Sequence, residues 1–338
     1  MSSVDKVVTT ADLPQSIRRS TLDPEIKAFL QSTKLTLGGK EPFTDERRHH
    51  TEVLAVAPPQ HLQHVKVEPL ILPGPVGDMN VRCYHPSTQS KGQAKDKAGA
   101  LIYIHGGGWT VGSLPEFDTF FRIMAEEGGV QVYALEYRLA PEWKYPTQLH
   151  EVEATLKWLH EKASARGVDP NRIAVGGDSA GGNMSAVTAL RMREKSGPKI
   201  ALQVLLYPEC KVPFETQAGS ENCTGLYLET QGVFLFAWNM LPQGKNHTDY
   251  DISPLLADKT LDKGHKNLPK AFIVTNGFDP LRDTGFEYAK KLKEAGNEVL
   301  YVNHEDLTHG FIQFTKWSKR AMDETVELAR VVGRELSA

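Results

Sequence analysis

Short apolar runs alternate with stretches of helical spacing through the chain, and that alternation limits the possible folds more than any other feature. The segments 100–104, 130–135, 173–175, 201–206, 271–275 and 299–302 read as buried strands. Helical stretches lie near 118–127, 147–165, 181–195, 284–295 and 317–336. Runs without a polar alternate need cover on both faces, so a mostly parallel sheet between two helical layers is expected. Ahead of them, Val65 to Leu72 and Met79 to Tyr84 alternate as half-buried strands joined through a Pro-Gly-Pro turn, which makes eight strands. The lysine- and glycine-rich stretch from Ser90 to Gly99 reads as a solvated loop.

Two segments stand outside this rhythm. Residues 1–64 carry few strand signals, and Asp23-Pro24 ahead of Glu25 to Leu30 reads as a capped helix with proline at its first position. More than sixty residues separate Tyr207 from Ala271, and they hold Leu226, Tyr227, Leu228, Phe234, Leu235, Phe236 and Trp238. So many large apolar groups do not suit a solvated loop. The expected organisation is a catalytic domain of residues 65–209 and 266–338 under a helical cap, formed by 1–64 and an insertion at 210–265.

A formal net charge of −3 over 338 residues gives no electrostatic reason for a nucleic-acid or anionic-membrane partner. No apolar run approaches the ~20 residues of a membrane-spanning helix, and Met1 to Ser20 lacks the apolar core of a signal peptide. Cys83, Cys210 and Cys223 fit neither a zinc site nor a disulfide framework, and read as free thiols in a reducing cytoplasm. Acceptor patterns for glycosylation at Asn183, Asn222 and Asn246 carry little meaning without a secretory signal.

The chemistry begins at Gly177-Asp178-Ser179-Ala180-Gly181, which follows the strand at 173–175 and precedes a helix. A serine at a sharp strand-to-helix turn adopts strained backbone angles, and flanking glycines leave room for the close approach. Its hydroxyl then stands above the sheet at a helix N-terminus, where developing negative charge is favoured. Some seventy residues earlier, His105-Gly106-Gly107-Gly108-Trp109 directly follows another strand. Glycines there let backbone N–H groups reach the oxyanion of an acyl-transfer intermediate, a single such donor contributing about 2.7–4 kcal/mol. The N–H of Ala180 is a further donor. His105 reads as holding the loop by hydrogen bonding.

A nucleophilic serine needs a base, and the base an orienting acid, in the order Ser, Asp, His along such a sheet. Asp279 lies a short loop beyond the strand at 271–275, and His309 lies a loop beyond the strand ending near Val302. Asp283 at a helix start and Asp306 in the loop before His309 fit less well, as do His304 near the strand and His265 in the insertion. Gly310 permits the bend after His309. His304 and His309 are five apart on a strand and loop, so they do not form a helical zinc motif.

These motifs, with Tyr137 to Glu142 and Asp279 to Asp283, closely resemble the hormone-sensitive-lipase family of α/β-hydrolases, the group that includes bacterial and fungal carboxylesterases. The resemblance spans about 100–311. It implies Ser179, Asp279 and His309 as triad, and Gly106, Gly107 and, closing the run, Gly108 around the oxyanion with Ala180. The expected activity is that of a serine carboxylesterase working through an acyl-enzyme on small, short-chain esters, without metal or cofactor. Alternatives on the same fold are a lactone hydrolase, an amidase, an acyltransferase or a small-molecule receptor; homodimers also fit. Trp109 and Phe311 are candidate pocket residues. Arg138 and Glu142 are expected to pair locally within a packing loop.

Overall fold

Among the described residues, 6–39, 41–87 and 97–337 of a computed structural model, nine strands form one sheet. In chain order they are β1 (Val8–Thr9), β2 (Lys66–Leu72), β3 (Met79–His85), β4 (Ala98–Ile104), β5 (Gln131–Glu136), β6 (Val168–Asp178), β7 (Leu202–Leu206), β8 (Lys270–Phe278) and β9 (Val299–Thr308). They lie across the sheet as β1-β9-β8-β7-β6-β4-β5-β3-β2. Neighbours from β9 to β5 are parallel, while β2 and β3 pair antiparallel at one edge. The ninth strand is β1, a short antiparallel addition to β9. Two residues in a polar segment carry no period to read. Beyond that pairing, two bonds between the Thr10 side chain and the backbone of Val299 fasten its end.

The helices are α1 (Pro24–Thr33), α2 (Phe43–Leu54), α3 (Asp118–Gly128), α4 (Thr147–Lys162), α5 (Ala180–Lys195), α6 (Gln217–Glu221), α7 (Thr230–Met240), α8 (Ala257–Thr260), α9 (Arg282–Glu294) and α10 (Lys319–Glu335). The pair α3 and α10 pack together, α4 packs on α5, and α5 lies on β4, β6 and β7. Asp23 caps α1 as its sequence predicts, accepting from Ile26 N at 2.9 Å with Pro24 at the first position.

Four strands outrun their apolar cores, and at β8 and β9 this corrects two expected loops. β8 continues to Phe278 and β9 to Thr308, so Asp279 and His309 follow strand ends directly. Asn276 and Gly277 look like loop text, yet Asn276 pairs with His304, and Asn276 Nδ2 donates to Thr308 O at 3.0 Å. The Thr308 hydroxyl returns a bond to Phe278 O at 2.9 Å. Polar side chains here satisfy neighbouring backbone, which is how strand text without an apolar period stays in a sheet. In the same way β6 begins at Val168, and β4 already includes Gly99 at the end of the stretch read as a loop; Ser90 to Asp96 lie outside the described residues.

The interval between β7 and β8 carries α6, α7 and α8. On α7, Val233, Phe236, Ala237 and Met240 recur at helical spacing and are buried. Leu235 and Trp238 fall on the opposite side and are exposed, Trp238 at 76%. The apolar content of this interval is therefore not all core. Backbone bonds join it to the N-terminal segment: Leu37 N donates to Tyr227 O at 2.7 Å and Glu229 N to Leu37 O at 3.0 Å.

Candidate active site

Ser179 sits between β6 and α5 with φ 54° and ψ −120°. Such angles cost a non-glycine residue about 1–3 kcal/mol and persist only where the surroundings impose them. Ser179 N donates to Leu206 O at 2.9 Å, and Ser179 O accepts from Asn183 N and Glu209 N. The helix after the turn packs hard against β4: a Cβ on Gly181 would overlap the Ile104 carbonyl, as would one on Gly177. That carbonyl is backbone, so neither clash can be relieved by a rotamer. Gly181→Ala is expected to destabilise the protein by about 3 kcal/mol, read as a fall in the urea unfolding midpoint; an unchanged midpoint would contradict this packing.

The glycine loop lies beside that turn because β4 neighbours β6, Ile104 facing Gly177. β5 flanks β4 on its other side, so the winding reverses here and a crevice opens beyond the carboxyl ends of β4 and β6. Gly106 N donates to Asp178 Oδ1 at 2.9 Å, and Tyr103 OH to the same oxygen at 3.0 Å. This corrects the expected role of Gly106. Its N–H fastens the loop to the turn that carries Ser179, and it is not available to an oxyanion. The N–H groups of Gly107, Gly108 and Ala180 take part in none of the backbone bonds that hold these turns among the described residues. Burial raises the Asp178 carboxyl to about 6, against the opposing pull of the Tyr103 bond.

His105 stacks on Tyr137 at 4.4 Å, and its Nδ1 lies 2.8 Å from Gly106 O. Burial lowers its pKa to about 4, so a neutral imidazole donates that bond, in keeping with a loop-holding role. The Tyr137 hydroxyl donates to His105 O at 3.0 Å. The expected Arg138–Glu142 pair is not formed. Arg138 bonds Glu151 on α4, and Glu142 takes a two-pronged bond from Arg47 of α2 at 2.8 Å per prong. Only a partner distant in sequence decides this, and neighbouring letters do not show it.

At the ends of β8 and β9, His309 Nδ1 meets Asp279 Oδ2 at 2.8 Å, both side chains buried. Asp279 Oδ1 accepts from Leu281 N at 2.8 Å. An acceptor carboxylate on Nδ1 sets the proton there and leaves a lone pair on Nε2. Nε2 is buried and has no hydrogen-bond partner among the described residues. Gly310 adopts φ 74°, the bend its sequence predicts. The rival groups are occupied elsewhere: Asp283 by Arg282 and Ala218 N, Asp306 by Arg320, His265 by Pro254 O; His304 lies 3.6 Å from Glu324.

Two recesses meet this ensemble. One is lined by Ser179, Ala180, Gly108 and Trp109, with Leu228, Val233 and Phe236 above them. The other is lined by His309, Gly106, Gly107 and Asp178, with His50 and Tyr227 from the flanking segments. Leu37 walls both. Phe311 lines neither. Its fully buried ring packs edge-on to Tyr207 and His304, so it is core behind the site, and the pocket reading is corrected. Sequence reasoning passed over Asp178 and Asn222, whose Nδ2 bonds the carbonyls of Gly277 and Asp279 at 3.1 Å each. Asn222 carries no local signal, since its partners lie more than fifty residues away.

A largely parallel sheet with a strained serine after one strand and a glycine loop after its neighbour defines the α/β-hydrolase class. This chain belongs to that family, in its hormone-sensitive-lipase branch: the family model of the alpha/beta hydrolase fold matches residues 101–313. It is 34% identical over 98% of its length to the carboxylic ester hydrolase LipN of Mycobacterium tuberculosis, covering 88% of that protein. The carboxylesterase NlhH of the same organism is 33% identical, over 96% of this chain and 99% of that one. The ester-hydrolase EH1AB1 from the Lake Arreo metagenome, solved with a bipyridine phosphonate derivative, superposes with a TM-score of 0.85 at 31% identity, covering 94% of this chain and all of that one. No helix among the described residues is long and apolar enough to cross a membrane.

Proposed function

We propose that this chain hydrolyses short-chain carboxylic esters, with Ser179 as nucleophile, His309 as base and Asp279 orienting the base. The observation that carries the reading is the 2.8 Å contact of His309 Nδ1 with Asp279, which leaves Nε2 unprotonated and unclaimed. The names of the similar esterases support it. His309 Nε2 takes the hydroxyl proton as Ser179 Oγ attacks the carbonyl. The N–H groups of Gly107, Gly108 and Ala180 stabilise the oxyanion; the alcohol leaves with the proton from His309, and water repeats the cycle on the acyl-enzyme. The N-terminal segment beyond β1, which itself joins the sheet, and the insertion between β7 and β8 share the cap: Leu37 from the first and Leu228, Val233 and Phe236 from the second close over the recess beside Ser179. Trp109 and these cap residues leave that recess narrow, which suits a short acyl group.

A fluorophosphonate should add its phosphonyl group to the peptide containing Ser179, read by mass spectrometry, and abolish hydrolysis of p-nitrophenyl acetate in step. Labelling at another residue, or activity that survives full labelling, would remove Ser179 from its role. Across p-nitrophenyl esters from acetate to palmitate, kcat/KM is expected to peak at the short end; a maximum at palmitate overturns the short-acyl reading.

A further inference from the structure

Glu209 follows β7 closely and is 2% exposed. Its backbone N donates to Ser179 O at 3.2 Å, and the residue is among those that line the recess holding Ser179, Ala180, Gly108 and Trp109. The rest of that lining is Leu37, Leu228, Val233, Phe236 and Leu281. A carboxyl group in such a wall is out of place unless something pairs with it. Glu209 Oε1 accepts from Lys211 N at 3.1 Å. Oε2 has only Asn183 Nδ2 at 3.4 Å, and that amide is oversubscribed. Its two hydrogens serve the carbonyls of Glu209 and Ile252 at 2.8 and 2.9 Å, which leaves none for Oε2. No cation among the described residues pairs with it, and burial pushes the carboxyl up to about 8. At neutral pH Glu209 therefore carries a proton, and Oε2 is where an O–H has no internal claimant.

We propose that Glu209 is the polar anchor of the acyl pocket, selecting esters whose acyl chain bears a hydroxyl or carbonyl oxygen a few bonds from the scissile carbonyl over isosteric hydrocarbon chains. This rests on the reading of Ser179 as nucleophile and names the acyl class that the site prefers. A neutral carboxylic acid donates one directional hydrogen bond, and an oxygen on the acyl chain accepts it. A hydrocarbon chain leaves that O–H desolvated and unpaired, which is the source of discrimination. The alternative role for Glu209 is purely structural, its carboxylate holding the turn at Lys211.

Kinetics and binding separate these. For the wild-type protein, kcat/KM for p-nitrophenyl 3-hydroxybutanoate is expected to exceed that for p-nitrophenyl 3-methylbutanoate, its methyl isostere, by about tenfold. Glu209→Leu is expected to reverse the order, and Glu209→Gln, which keeps a donor, to retain part of the preference. A structural role would lower both esters together and leave the ratio unmoved, which overturns the proposal. In the Ser179→Ala protein, saturation-transfer NMR with methyl 3-hydroxybutanoate and methyl 3-methylbutanoate should show the same preference in binding, lost on adding Glu209→Leu. Equal binding of the two esters overturns the proposal. Preferential binding by a wild-type protein that turns over neither ester supports the anchor while removing the hydrolase reading.

Discussion

Ser179→Ala is expected to lower turnover of p-nitrophenyl acetate by on the order of 10⁴ or more while the protein stays folded. In the proposed mechanism the loss follows from removing the atom that forms the acyl bond; among the described residues no neighbouring hydroxyl stands at a strand-to-helix turn with the same backbone. Stability should survive because the strain lies in the backbone. Alanine at φ 54° is no worse placed than serine, and the bonds that impose the turn, from Ser179 N to Leu206 O and from Asn183 N and Glu209 N to Ser179 O, are all main-chain. The donors at Gly107, Gly108 and Ala180 remain, so a small residual rate above water is expected from the oxyanion site alone. Steady-state kinetics beside a urea melt gives the answer. A variant within tenfold of wild type, with an unshifted melt, places the nucleophile elsewhere.

The parts of this site that were legible in sequence are those fixed by local backbone demands. Gly181 and Gly177 are glycine because Ile104 leaves no room for a Cβ, and such a demand shows as a motif. Gly310 is glycine because the chain turns with positive φ directly after His309. The apolar runs at 100–104, 201–206 and 271–275 were legible because strands buried on both faces exclude polar groups. What sequence did not disclose are partnerships settled by tertiary packing. Arg47 reaches Glu142 across ninety-five positions, Asn222 reaches the carbonyl of Asp279 across fifty-seven, and Gly106 spends its N–H on Asp178 across seventy-two. The extensions of β8 and β9 went unread for a related cause. Asn276 and Thr308 satisfy one another's strands with side-chain bonds, and polar residues of that kind are also what loops are made of.

Asp279→Asn tests the orienting half of the proposed triad with almost no change in shape. The two carboxylate oxygens serve different donors: Oδ1 accepts from Leu281 N, and Oδ2 accepts from His309 Nδ1. An amide has one acceptor and one donor, and Leu281 N is a fixed backbone donor that claims the carbonyl oxygen. The NH₂ group is then turned toward His309, so Nδ1 must become the acceptor and Nε2 must hold the proton. A protonated Nε2 cannot take the Ser179 proton. The expected result is a fall in kcat of about 10⁴, the size seen when a triad aspartate elsewhere becomes asparagine. KM should change little, because the recess beside Ser179 does not include Asp279. Fluorophosphonate labelling of Ser179 should slow in parallel, since it needs the same deprotonation. If instead kcat holds within tenfold of wild type while the variant remains folded, His309 is oriented by some other group, and the 2.8 Å contact that supports the mechanism is structural.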